Sequence, residues 1–300
     1  LATNAIVEGQ GSPICLLLLG YEPQSLDRSD LRRALGHDPV VFVAGGHTPI
    51  GDEQAPRDRT ALESAIQANA GKVAAFAVSG YFSVRNASHE ILARQIIRDA
   101  TGMPVTCGHE LTSKLDAPRR ALTAALNARL IPQLQHLIEA VRALLTEKSI
   151  RAPLMVVKGD GSLVTADLAL VKPVETILSG PAASVVGARH LCDEDNVVVV
   201  DMGGTTTDIA LLRNGRPVLD REGASVAGWK TMVEAIAVHT FGLGGDSEAH
   251  RRDGEIVVGP RRLVPLSLLA HLYPRTLESL RAQHAAERVV PGAGRFALRN

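Results

Sequence analysis

The sequence has no excess of either charge: Lys plus Arg and Asp plus Glu both number 32 in 300 residues. A protein held to nucleic acid by electrostatics shows a basic surplus or stripe, and neither occurs. Cysteine is scarce, and Cys15, Cys107 and Cys192 are widely spaced and odd in number. Without a CxxC pair or a His/Cys spacing that suggests zinc, they read as reduced thiols of a cytosolic protein. The ten histidines form no H-E-x-x-H pattern. No G-x-S-x-G elbow is present, which removes support for a serine hydrolase, and no Walker sequence or Walker lysine occurs. Long apolar runs are also missing. The stretch "ICLLLLG" is too short to cross a bilayer and follows no basic leader. The expectation is a soluble, cytoplasmic chain with no membrane or nucleic-acid partner. Repeats and low-complexity segments are absent too. The opening "LATNAIVEGQG" has no Met and is expected to follow a lost N-terminal portion.

What is present is the alternation of an α/β protein. The length is comfortable for two domains, and the expected division is 1–150 and 151–300. Segments 13–20, 39–46 and 72–83 read as strands whose near-continuous apolar character suits burial on both faces. Segments 55–70 and 86–102 read as helices, the second with Asn86 as N-cap and Gly102 at its end. Residues 117–148 carry Leu122, Leu126, Leu130, Leu134, Leu137, Val141 and Leu145 at helical spacing. Pro132 predicts a kink there or two abutting helices. In the second half, 152–165 reads as strand, turn and strand. A small-residue helix spans 178–191, with Pro181 in its first turn. Residues 231–250 read as a helix running into a glycine turn.

The chemistry concentrates in "VVVVDMGGTTTDIALL" (197–212). Four valines lead to Asp201, and the pattern predicts two buried strands joined by a turn. Gly203 and Gly204 let backbone N–H groups approach a phosphate and turn through positive φ. Successive N–H groups in such a turn form an anion-binding nest. Thr205 and Thr206 add hydroxyl donors, and Asp201 stands where a phosphate-bound Mg²⁺ would sit. It could hold the metal's waters or orient a water for attack. The alternative is an ordinary hairpin with a polar turn. A second turn, "GLGGDS" (242–247), fits an adenosine or α-phosphate contact, or else a flexible helix end. In "SGPAAS" (179–184), Gly180, Ala182 and Ala183 would let a helix pack closely on another backbone.

Together "VVVVDMGGTTTDIALL", "ILSGPAASVVGA" and "LATNAIVEG" resemble the hydantoinase/oxoprolinase family, over roughly residues 1 to 260. That family lies within the superfamily of actin, sugar kinases and heat-shock chaperone ATPases. The resemblance implies an α/β, actin-like ATPase (ribonuclease H-like) fold of two lobes, here without the N-terminal part of the first. It implies ATP and Mg²⁺ as cofactors and makes Asp201 the acid that holds the Mg²⁺ waters or the catalytic water. Gly203, Gly204, Thr205 and Thr206 become phosphate contacts, and Gly244, Gly245 and Asp246 lie beside the nucleoside. Gly180 and Pro181 belong to a hinge helix. Family members use ATP to open cyclic amides such as 5-oxoproline or hydantoins, and relatives serve in ketone carboxylation. A cyclic amide substrate and a second subunit of the hydantoinase B type are therefore expected, and homo-oligomerisation is left open. Two departures stand out. The chain starts after the family's first D-x-G-G-T phosphate motif, so the phosphate clamp is half built. The adenosine turn "GLGGDSEAH" also replaces the run of three glycines and a serine found in many oxoprolinase-like members.

Other residues carry weaker signals. Cys107, His109 and Glu110 in "TCGHEL" suit either a catalytic or metal role or a polar strand end. His47, Asp52 and Glu53 in "AGGHTPIGDE" follow a strand, where α/β proteins place ligands, or form a capped surface loop. Lys158 and the arginine pairs at 119–120, 251–252 and 261–262 read most simply as solvated. The rival functions are a nucleotide-binding switch without amidohydrolase activity and a sugar-kinase-like phosphotransferase.

Overall fold

The computed structural model describes residues 2–7, 9, 11–192 and 194–285. Within it the chain forms two compact units. The first comprises 1–193 and 215–237, the second 194–214 and 238–300. Part of the Arg-rich tail, 286–300, lies outside the described residues.

The first unit is organised on four parallel strands: β1 (Ile14–Leu19), β2 (Val40–Val43), β3 (Ala75–Gly80) and β4 (Val105–Cys107). Their order is β2-β1-β3-β4. The chain leaves β1 to one side and returns on the other, so the switch point lies between β1 and β3. Every residue of β1 and β3 is buried. Alternate residues feed two cores: Ile14, Leu16 and Leu18 face one, Cys15, Leu17 and Leu19 the other. Helices α3 (Arg59–Asn69) and α4 (Ser88–Thr101) supply the second core through Leu62, Ile66, Ala93 and Ile97. Helix α5 (Ala117–Glu147) supplies the first through Leu122, Leu126 and Leu130.

Asp58 caps α3 by accepting the Ala61 N–H at 2.9 Å. Gly102 ends α4 in the left-handed region at φ 68°. Asn86 instead accepts from Ser88 N, one residue ahead of the expected cap geometry. Helix α5 runs unbroken through Pro132. Its predicted stripe is buried only as far as Leu134, whereas Leu137 is 45% exposed. The hairpin of β5 (Met155–Val157) and β6 (Leu163–Thr165) follows, then α6 (Ala166–Val171) and α7 (Ser179–Leu191). No described helix is long and apolar enough to cross a membrane.

The second unit holds an antiparallel sheet of β7 (Val197–Met202), β8 (Thr207–Arg213) and β9 (Val238–Phe241), with β8 in the middle. A two-stranded ribbon of Ser247–Arg252 and Glu255–Arg262 follows. Two sequence expectations are corrected here. Residues 231–250 form strands where a helix is expected, because Val238–Phe241 pairs along β8 and takes the period of the sheet. The valine run is not buried. Strand β7 is an edge strand, and Val198, Val200 and Met202 are 62%, 55% and 59% exposed. Only the opposite face packs, through Ala210 and Leu212 of β8.

Candidate functional site

In the second unit, the β7–β8 hairpin turns at Met202–Thr207 and pairs Asp201 with Asp208 directly across the ladder. Paired residues of an antiparallel ladder share a face, so two carboxylates stand side by side. Such like-charge pairs are destabilising unless a cation or ligand intervenes. Asp201 is exposed. Asp208 Oδ1 accepts from the Thr240 hydroxyl of β9 at 2.5 Å. The sequence reading omits Asp208 from the site. Counting register outward from the Gly203–Thr206 turn would have found it.

The Gly203 N–H closes the turn onto Thr206 O at 2.9 Å. Neither Gly203 nor Gly204 lies in the left-handed region, so the expected use of positive φ does not occur. Proximity to backbone requires glycine at 244, whereas the Asp246 carboxylate near Gly204 can swing aside. A Cβ on Gly204 would meet Asp246 Oδ2 at 2.9 Å, and one on Gly244 would meet the Gly204 carbonyl at 2.5 Å. The two glycine turns are thus docked backbone to backbone. Gly245 N donates to Gly203 O at 2.9 Å, and Asp246 N donates to Gly204 O at 2.8 Å. Gly244 N donates to Ser247 Oγ at 2.9 Å, and Thr207 Oγ1 donates to Leu243 O at 2.6 Å.

Among the described residues the N–H groups of Gly204, Thr205 and Thr206 have no protein acceptor. Gly203 and Gly204 are exposed, and Thr205 and Thr206 half-exposed. Three successive unspent N–H groups, two hydroxyls and a neighbouring pair of acids match the donor set for phosphate oxygens and a hydrated divalent cation. The residues present therefore fit Mg-nucleotide.

Gly180 and Pro181, expected in a hinge helix, lie in the first turn of α7, in the first unit. A Cβ on Gly180 would meet nothing within 4 Å, so this glycine does not serve a close approach. Ala183 is exposed, and only Ala182 of the three small residues is fully buried.

The weaker signals of the first unit fall mostly on buried or half-buried polar groups. His47 is 1% exposed, stacked on His89 with ring centroids 4.3 Å apart, and does not lie on a surface loop. Burial, with the neighbouring His89, lowers its pKa from 6.5. His89 Nδ1 accepts from Gly46 N, and its Nε2 meets Glu53 Oε1 at 2.8 Å. Glu90, Cys107 and His109 bring their ligand atoms within 4.8 Å of one another. Glu90 is already engaged, by Gly80 N at 2.6 Å and by His109 N and Nδ1. Burial, then Glu90 and Glu110, push the Cys107 thiol up. Lys158 is not simply solvated. It pairs with Glu175 at 3.0 Å and Asp160 at 3.3 Å.

The α/β fold, with its paired glycine turns, is of the actin-like ATPase class. The crystal structure of an ATP-dependent caprolactamase from Pseudomonas jessenii superposes with TM-score 0.72 and 31% identity, over 87% of this chain and 41% of that one. A nucleotide-free acetone carboxylase structure shares the fold at TM-score 0.66 and 20% identity, with the same coverage. The chain belongs to the hydantoinase/oxoprolinase family: the Hydantoinase/oxoprolinase description matches residues 120–264, and the Hydantoinase/oxoprolinase N-terminal region matches residues 1–101. In sequence it is 32% identical to the caprolactamase subunit alpha of P. jessenii over 281 residues. It is 31% identical to the acetophenone carboxylase gamma subunit of Aromatoleum aromaticum and 26% identical to the 5-oxoprolinase of Dictyostelium discoideum. The matches cover 87%, 62% and 57% of this chain. They span 40%, 27% and 14% of those proteins.

Proposed function

We propose that this chain is the nucleotide-handling part of an ATP-dependent enzyme that hydrolyses a cyclic amide. The observation that carries the reading is the docking of the two glycine turns beside the Asp201–Asp208 pair, with three backbone N–H groups left to receive an anion. Gly204, Thr205 and Thr206 bind terminal phosphate oxygens through backbone and hydroxyl donors, and Gly203 fixes the turn. Asp201 accepts from metal-bound water or aligns the attacking water, and Asp208 shares the cation. Gly244, Gly245 and Asp246 stand beside the nucleoside. When bound, ATP would supply a phosphoryl group to the amide oxygen, making the carbonyl carbon electrophilic enough for water to add and the ring to open at its C–N bond. Gly180 and Pro181 open α7, the helix that the family resemblance makes a hinge.

Two relatives are named as subunits, which supports assembly with a second chain of the hydantoinase B type. The caprolactamase and 5-oxoprolinase relatives support a lactam as the substrate class. The balanced charge and the short apolar runs support a cytoplasmic setting.

The test is ATP turnover of the protein with its partner subunit, with and without caprolactam, 5-oxoproline or hydantoin. Stimulation by one lactam is expected, and Asp201→Asn should lower it by about 100-fold or more while the circular dichroism spectrum is retained. Flat turnover would favour a nucleotide switch, and stimulation by a polyol alone would favour a phosphotransferase.

A further inference from the structure

The arginine pair at 119–120 reads as solvated in the sequence, yet Arg120 is the largest fully buried side chain, 1% exposed. Its stem lies against Gly108, where a Cβ would approach Arg120 Cγ to 3.1 Å. Its guanidinium donates from Nη2 to Gly80 O at 2.9 Å and, more weakly, from Nη1 to Lys114 O at 3.4 Å. Among the described residues Nε has no acceptor, and no carboxylate lies within 4.0 Å of the guanidinium. A guanidinium carries five N–H donors, so most of its capacity is unspent. A buried charge without a counter-charge is costly, and removing a partner from a buried pair ordinarily destabilises strongly.

Arg120 lines a cavity of about 440 Å³ within the first unit. The cavity opens just past the carboxyl end of β3, at Tyr81 and Phe82, next to the β1/β3 switch point where open α/β sheets bind ligands. Three of its lining residues, Ser29, Phe82 and Asp116, hold positive φ of 56°, 52° and 92°. Such strain in non-glycine residues gathers at binding sites. Arg28 stands exposed among the lining residues, and Asp116 also lines the cavity, with Oδ1 accepting the Arg119 N–H at 3.2 Å. Two cations and one anion line the cavity, and the buried Glu90 carboxylate accepts from the N–H of the same Gly80 whose carbonyl takes Arg120.

We propose that this cavity binds a small organic monocarboxylate, its carboxylate on the Arg120 guanidinium and its apolar body against Tyr81 and Phe82. The planar fork of arginine matches a carboxylate, and with Asp116 and the buried Glu90 close by a monoanion is repelled less than a phosphate dianion. The site is separate from the glycine turns and does not depend on their assignment.

The test is calorimetric titration of the full chain with cyclopentanecarboxylate, cyclopentanecarboxamide and inorganic phosphate. The first two share shape and differ in charge. The carboxylate should bind at least about tenfold more tightly than either of the others. Arg120→Lys should weaken carboxylate binding about tenfold or more, because lysine keeps the charge and loses the fork. Circular dichroism checks its fold. Arg28→Glu, at an exposed position, should weaken binding about threefold or more without disturbing the fold. Equal binding of acid and amide, phosphate binding as tight as the carboxylate, no binding, or an unchanged affinity in Arg28→Glu would overturn the proposal.

Discussion

Strands β1 and β7 look alike as sequence, "ICLLLL" beside "VVVVDM", and differ completely in place. The first is buried along its whole length, between α5 on one face and α3 with α4 on the other. The second is an edge strand with one face open. An apolar run therefore announces a strand, while the elements that cover it decide burial. The contrast extends to the strand ends. Parallel β1 and β3 feed a crevice with a buried cation, whereas antiparallel β7 and β8 end in an exposed backbone turn.

Five perturbations test this contrast, in decreasing order of effect. Leu17→Ala removes a fully buried side chain and should cost about 2–5 kcal/mol in denaturant unfolding. Gly244→Ala puts a Cβ 2.5 Å from the Gly204 carbonyl, so backbone must move. A loss of about 1–3 kcal/mol is expected, together with weakened binding of an ATP analogue.

The third concerns Cys15. Its thiol is pushed up from 9.0 to about 12 by burial, with Asp38 adding to it. The unfolded chain releases this proton first, so stability should fall as pH rises from 9 toward 12. Urea midpoints across that window should fall less steeply in Cys15→Ala than in the parent. The smallest effects belong to the β7–β8 hairpin. Val200→Thr, on the exposed face, should shift stability by less than about 0.5 kcal/mol. Asp208→Asn relieves the pairing with Asp201 and, without metal, should raise stability by a few tenths of a kcal/mol, roughly. A β1-sized loss for Val200→Thr would break the comparison.

The parallel sheet was legible because its strands are apolar at nearly every position and end in glycine or serine. The hairpin at 203–206 was legible from its glycines and flanking runs. Residues 231–250 were misread because "VEAIAVHT" suits either period, and only pairing with β8 selects the strand. Positive φ was expected at Gly203 and Gly204 and does not occur, and the need for space at Gly244 arises between two turns distant in sequence, which no local pattern displays. Arg120 and His47 were read as peripheral because polar residues are mostly exposed, and long-range packing overrides that tendency here.

The most direct measurement is a crystal structure of the chain grown with Mg²⁺ and a non-hydrolysable ATP analogue. The terminal phosphates should lie on the N–H groups of Gly204, Thr205 and Thr206, with the metal waters on Asp201. Phosphates bound elsewhere, with those three N–H groups facing only solvent, would contradict the account.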